Sequence, residues 1–238
     1  LNLLVSVWIV GSVIYILWVM IKYYKAVKAL KANVIDGTPE MQAKLDLISQ
    51  KCGIRRKVKL KITDCVISPV TYGFFNHVIL IPNREFDDRD FGYIAMHECC
   101  HIKNKDIWIK LLTEFYCGIF WWNPFVHLLK KDLTYCLELR CDKRVTSELS
   151  ENRCTVYYEV LVTQMKAYKE QQESEESDRE TALKSALVGM SFVTNEKGEK
   201  IVSRMEMILY PKKKQTIINN IVTAFMALLI VGIFFASY

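Results

Sequence analysis

The eight cysteines, at 52, 65, 99, 100, 117, 136, 141 and 154, include no C-x-x-C pair and form no compact disulfide framework. That absence argues against a disulfide-stapled fold and fits thiols kept reduced in a reducing compartment. A basic start and a small-residue cleavage site are also missing around the first apolar run, Leu3 to Ile21. A cleaved signal peptide is therefore not expected, and a membrane span is. The chain does not begin with Met and stops soon after a second apolar run, so a longer parent protein is expected. Nor is the net charge of +6 spread evenly: part of it sits in Lys22, Lys25, Lys28 and Lys31, and in Lys212, Lys213 and Lys214. Both clusters abut long apolar runs, which points to membrane topology and away from direct nucleic-acid binding.

What is present is apolar. Hydrophobic residues make up 51% of the 238, and mean hydropathy is +0.11. The two runs predict transmembrane helices over 1–21 and 217–236, the second carrying only Asn219, Asn220 and Thr223 near its lysine end. Lysines follow the first span and precede the second, so the positive-inside rule places residues 22–216 in the cytoplasm.

Within that stretch lies His97-Glu98-Cys99-Cys100-His101, an H-E-x-x-H pattern. Residues four apart stand on one helix face, so His97 and His101 can offer two imidazole nitrogens to one metal ion. Glu98 then stands beside the position of a metal-bound water, where a carboxylate can take its proton. A helix start precedes the motif at Asp87-Asp88-Arg89-Asp90, and no Pro or Gly interrupts Tyr93 to Lys105. Glu138 supplies a carboxylate for the third ligand position on a second expected helix. Cys99 and Cys100 project to other sides of the helix than the histidines, so they are expected to be buried and not to bind metal.

Around the motif, Lys22 to Lys31 reads as a basic helix. Thr38-Pro39-Glu40 starts another that runs to Cys52, with a capping residue followed by Pro at the first helical position. Val58 to Ile62 alternates with period two and predicts a half-buried strand. Ser68 to Phe75 and Val78 to Pro82 predict a hairpin or two short strands, with Asn76-His77 near the turn, a place where a histidine is usually solvated. Asn123-Pro124 starts a helix running toward Leu149, with Leu129, Leu133, Leu137 and Cys141 near one face. His127 lies too far along it from Glu138 to share a metal. Tyr157 to Tyr168 reads as helix, followed by a solvated polar run from Lys169 to Glu180. Ser191 to Thr194 reads as a strand.

Residues 107–129 are apolar enough almost to span a bilayer. One crossing would put His101 and Glu138 on opposite sides, so the run must return to its starting side, lie in the interface, or be buried against other helices. Lys110, Thr113 and Glu114 on one face favour an interfacial or partly buried amphipathic helix.

The ordered set of Ser68-Pro69, Gly73, Pro82, His97 to Ile102, Asp106, Trp122-Asn123-Pro124, Glu138, Cys141-Asp142 and the flanking spans resembles the BlaR/MecR-type integral-membrane metallopeptidases. These are the zinc-protease part of the bacterial β-lactam sensor-transducers and their relatives. The resemblance covers nearly the whole chain. It implies a gluzincin-like α+β domain inserted between two transmembrane helices of a multi-pass bacterial membrane protein, with one Zn2+ per chain. It also implies His97, His101 and Glu138 as ligands, Glu98 as general base, and Asp142 as the acid that steadies a ligand histidine. Further spans and an antibiotic-binding domain, which such sensors carry, do not fall within these residues, and no S-x-x-K acylation signature occurs. The family's self-cleavage and removal of a cytoplasmic repressor imply a cleavage region between Lys184 and Lys200, with Ser191-Phe192 as one candidate bond.

The expected activity is peptide-bond hydrolysis on the cytoplasmic face. The substrate is a cytoplasmic protein or peptide, such as a transcriptional repressor, or the chain itself. Substrate backbone would add to an exposed strand edge within Tyr72 to Ile81, and Arg204 is the candidate oxyanion stabiliser. The competing readings are a membrane receptor or scaffold with structural or absent zinc, and a membrane protease of the quality-control or prenyl-protein type.

Overall fold

The computed structural model describes residues 2–31, 34–66, 68–147 and 149–174. The expected second span (217–236), the strand at Ser191 to Thr194, Arg204 and the candidate bond Ser191-Phe192 lie outside the described residues. The chain is mixed helix and sheet, as expected.

Helix α1 (Asn2–Leu30) is unbroken, so the apolar run and the basic helix after it are one element. Its apolar part is long enough to cross a membrane and has no buried residue, whereas Ala26 and Leu30 near its end are buried against the sheet. A short strand that the periodicity does not reveal, β1 (Val34–Asp36), follows. In α2 (Pro39–Lys51), the Thr38 hydroxyl accepts from the Met41 N–H at 3.3 Å and Pro39 occupies the first turn. This is the expected cap, and it satisfies an N–H that has no partner within the helix.

Strands β2 (Lys59–Thr63), β3 (Val70–Tyr72) and β4 (Val78–Pro82) join β1 in a sheet of order β1-β2-β4-β3. β3 and β4 form the expected antiparallel hairpin, pairing Val70 with Leu80 and Tyr72 with Val78, while β2 and β4 run parallel. The turn depends on Gly73, whose φ is +96° and where a Cβ would come within 2.1 Å of the Asn76 carbonyl oxygen. His77 closes the same turn, its Nδ1 lying 2.9 Å from the Gly73 carbonyl oxygen.

Both sheet faces are covered, which is why every residue of β4 is buried. Val70, Tyr72, Val78 and Leu80 pack under the end of α1. Leu60, Ile79 and Ile81 pack under α2 and α3 (Asp88–Lys103) through Leu45, Phe91, Ala95, Cys99 and Ile102. β4 is therefore central, and among the described residues β3 is the edge strand on this side. Of the expected stretch Tyr72 to Ile81, Tyr72 lies on the edge strand β3 and Val78 to Ile81 on the central strand β4.

After Lys105, α4 (Asp106–Ile119) and α5 (Pro124–Ser147) form an antiparallel helical hairpin, and α6 (Glu151–Ser174) follows. The apolar stretch 107–129 therefore doubles back on itself between two helices. α4 runs alongside α1: the indole Nε1 of Trp8 donates to the Ile119 carbonyl at 2.7 Å, and Gly118 lies against Ile16. Asn123 caps α5 by accepting from the Phe125 N–H at 3.0 Å. Leu137 and Cys141 are buried, but Leu129 near the start of α5 is exposed.

Candidate metal centre

Helix α3 is buried on two sides. Phe91, Ala95, Cys99 and Ile102 anchor it to the sheet, which turns His97 and His101 toward α5. Their Nε2 atoms lie 3.1 Å apart. Glu138, in the middle of α5, brings Oε2 to 3.4 Å from His97 Nε2 and 3.5 Å from His101 Nε2. The structure thus brings together the three residues expected to bind metal, across 41 positions of sequence between His97 and Glu138. Cys99 and Cys100 are buried, as expected.

The outer nitrogens are held by carboxylates. His97 Nδ1 lies 3.0 Å from the Tyr157 hydroxyl and 3.1 Å from Asp142 Oδ1, and Tyr157 donates to the same Asp142 oxygen at 2.6 Å. Asp142 is fully buried. His101 Nδ1 lies 2.8 Å from Asp106 Oδ2, and the second Asp106 oxygen accepts from Arg140. A ring whose Nδ1–H donates to a carboxylate keeps its Nε2 lone pair for the site. Cys141 Sγ, 3.3 Å from His101 Nδ1, lines that same outer side. Asp106 folds back onto His101 because Lys105 takes a left-handed conformation, φ 58°. For a non-glycine residue that costs about 1–2 kcal/mol, which the buried contacts of Asp106 must offset.

Charge in the pocket is unbalanced. Burial alone would lower the pKa of His97, but hydrogen bonds to Asp142 and Glu138 and their charges hold it at about 10. Burial likewise opposes the proton on His101, and the charge of Glu138 with the hydrogen bonds to Asp106 and Glu138 holds it at about 9. Glu138, though buried, is held well below the usual carboxylate range by His101, His97 and Lys110. Such a cluster must keep protons on its imidazoles or hold a cation instead. The spacing suits a cation. Tetrahedral coordination at 2.0–2.1 Å separates donor atoms by about 3.3 Å, close to the 3.1, 3.4 and 3.5 Å seen here.

Glu98, the residue after His97, is buried, and its Oε2 accepts from the Thr71 hydroxyl at 2.6 Å. Thr71 is the middle residue of edge strand β3, so the carboxylate is fixed to the free edge of the sheet. Lys110, also buried, places Nζ 3.9 Å from the other oxygen of Glu138. Thr71, Lys110 and Tyr157 carry no local signal, since each meets the site only through packing of separate elements. Asp106 has a usable one: it belongs to the ordered motif set and closely follows His101.

The family profile described as BlaR1 peptidase M56 matches residues 1–189. The chain is 26% identical over 162 residues to the regulatory protein BlaR1 of Staphylococcus aureus, covering 64% of this chain and 28% of that protein. It is 23% identical over 164 residues to the methicillin resistance mecR1 protein of Staphylococcus aureus, covering 67% and 28%. To the regulatory protein BlaR1 of Bacillus licheniformis it is 26% identical over 159 residues, covering 66% and 26%. The matched region thus spans little more than a quarter of these curated relatives.

Proposed function

As the chain belongs to the BlaR1 peptidase M56 family, we propose that it is a membrane-anchored zinc metalloendopeptidase with His97, His101 and Glu138 as metal ligands and Glu98 as general base. The observation that carries this reading is the convergence of the His97, His101 and Glu138 donor atoms at tetrahedral spacing; Glu98, the residue after His97, is buried and held by Thr71.

A bound Zn2+ would supply Lewis acidity toward a scissile carbonyl and lower the pKa of a water to about 7. The chain's own groups do the rest. Glu98, oriented by Thr71, accepts a proton from the attacking water and passes it to the leaving amine. Asp142, Tyr157 and Asp106 hold the two imidazoles in the tautomer that points Nε2 inward. Lys110 offsets the charge of the Glu138 carboxylate. An extended substrate pairs with the free edge of β3, next to the residue that holds the base.

α1 anchors the domain in a bilayer. Lys22, Lys25, Lys28 and Lys31 at its end mark the side carrying the site as cytoplasmic, and Lys22 Nζ stacks 3.7 Å over the Trp18 ring. Substrates are then cytoplasmic proteins or the chain itself, consistent with relatives named as regulatory and resistance proteins. In vesicles, Glu98→Gln should keep its metal while peptide hydrolysis falls by about 10²–10⁴-fold. In cells, the matching Glu98→Ala strain should retain proteins that the parent shortens. Undiminished cleavage by Glu98→Gln with metal bound ends the proposal.

A further inference from the structure

Helix α4 is built inside out for a protein in water. Its polar side chains Asp106, Lys110 and Glu114, four residues apart, are buried, while Trp108, Leu111, Leu112, Phe115 and Tyr116 are exposed. Leu112 and Phe115 stand 69% and 52% exposed, against 8% for Lys110 and 4% for Glu114. The inward face is matched in charge by α5: Glu114 pairs with Lys130 at 2.6 Å, and Lys110 approaches Glu138 at 3.9 Å. The outward apolar face continues past the turn into Phe125, Leu128 and Leu129.

We infer that the α4–α5 hairpin is a re-entrant membrane element, its outer face in contact with lipid acyl chains. The inference rests on the membrane anchoring by α1 proposed above, and it extends that surface from one helix to three. Three observations support it. First, burying each large apolar side chain contributes about 1.5–3 kcal/mol, a gain this face forgoes in water and obtains in hydrocarbon. Ionisable groups at membrane depth turn to the protein interior and pair, as Glu114 and Lys130 do.

Second, three successive carbonyls at the turn have partners within the protein. The Ile119 carbonyl accepts from Trp8 Nε1 at 2.7 Å, the Phe120 carbonyl from the Asn123 N–H at 2.9 Å, and the Trp121 carbonyl lies 3.2 Å from His127 Nε2. A water-exposed turn has no such need, since solvent serves its carbonyls. Inside a bilayer, each unsatisfied group costs several kcal/mol. Third, the hairpin lies along the apolar stretch of α1, with Ile107 packed near the Ala26 end and Trp121 against Gly11. The 14 residues of α4 rise about 21 Å, less than the roughly 30 Å of hydrocarbon. The hairpin therefore enters and leaves on the side of the site, as convergence of His101 and Glu138 demands.

The test uses the unaltered chain in vesicles containing a phospholipid with a photoactivatable diazirine, either at the acyl-chain end or on the headgroup. Adducts are mapped by mass spectrometry. The acyl-chain probe should label Leu112 and Phe115 as well as α1, and the headgroup probe should lose those adducts. Labelling of α1 alone by the acyl-chain probe overturns the inference and leaves the anchor intact, because protein then covers the hairpin. Labelling of Leu112 and Phe115 by the headgroup probe alone also overturns it, since the hairpin then lies in the interface. Absence of acyl-chain adducts on α1 and hairpin alike removes the anchor and the inference together.

Discussion

The ion pair between Glu114 and Lys130 offers the most direct measurement of how the hairpin is held. Lys130 Nζ lies 2.6 Å from Glu114 Oε1, with side chains 20% and 4% exposed. Breaking a buried pair by removing one partner leaves an uncompensated charge and costs about 3–5 kcal/mol, whereas replacing both partners by neutral groups is often close to neutral. The two halves are not equivalent. Lys130 has some exposure and a long apolar stem along which its ammonium can move toward water, so Glu114→Gln should cost about 2–3 kcal/mol. Lys130→Met strands a nearly inaccessible carboxylate and should cost about 3–5 kcal/mol. The double variant should return to within about 1–2 kcal/mol of the parent, revealing strong coupling between the sites. The assay is an unfolding titration with SDS in mixed micelles, followed by the fluorescence of Trp108, Trp121 and Trp122. Simple additivity of the two single losses would refute the reasoning, because it would mean that neither charge is desolvated.

Other outcomes follow from the site and its supports. Asp142→Asn should weaken metal binding by about 10–100-fold while leaving the ligands in place, as read by competition with a chelator; an unchanged affinity would show that Asp142 does not support His97. Metal uptake by the metal-free chain near pH 8 should release protons, because His97 and His101 hold theirs to about 10 and 9; uptake without release in calorimetry would contradict those shifts. In the metal-free chain the same raised values favour the fold fully below the ordinary imidazole pKa of about 6.5, and that contribution fades as pH rises through about 9 to 10. Gly73→Ala places a Cβ at 2.1 Å from a backbone oxygen at φ +96°, so it should destabilise by more than the roughly 1 kcal/mol that a glycine replacement gains where the backbone tolerates it. It should also lower turnover by shifting Thr71, and a variant as stable and active as the parent would show that the turn does not position the site.

Signals confined to a few residues were legible before any coordinates. Thr38-Pro39 started α2, Asn123-Pro124 started α5, alternation marked β2, and two short runs about a turn marked β3 and β4. The four-residue spacing put both imidazoles on one face of α3. These features depend on backbone geometry within a turn or two, which neighbouring residues set on their own. β1 escaped notice because a three-residue strand carries no period to read. An apolar period places Leu129, Leu137 and Cys141 near one face of α5 but does not say that the first is exposed and the other two buried.

The rest required elements far apart in the chain to meet. Sequence supplied the chemistry of the centre: two imidazoles, an acid beside them, and a distant carboxylate able to complete the set. Packing decided that Glu138 reaches His97, that Asp106 and Asp142 each take one ring, and that Thr71 ties Glu98 to the sheet edge. It also decided that α4 turns its charges inward and its leucines out. A side chain's identity sets which contacts it can make, but the solvent or neighbour on each face is chosen only when the whole chain has closed around it.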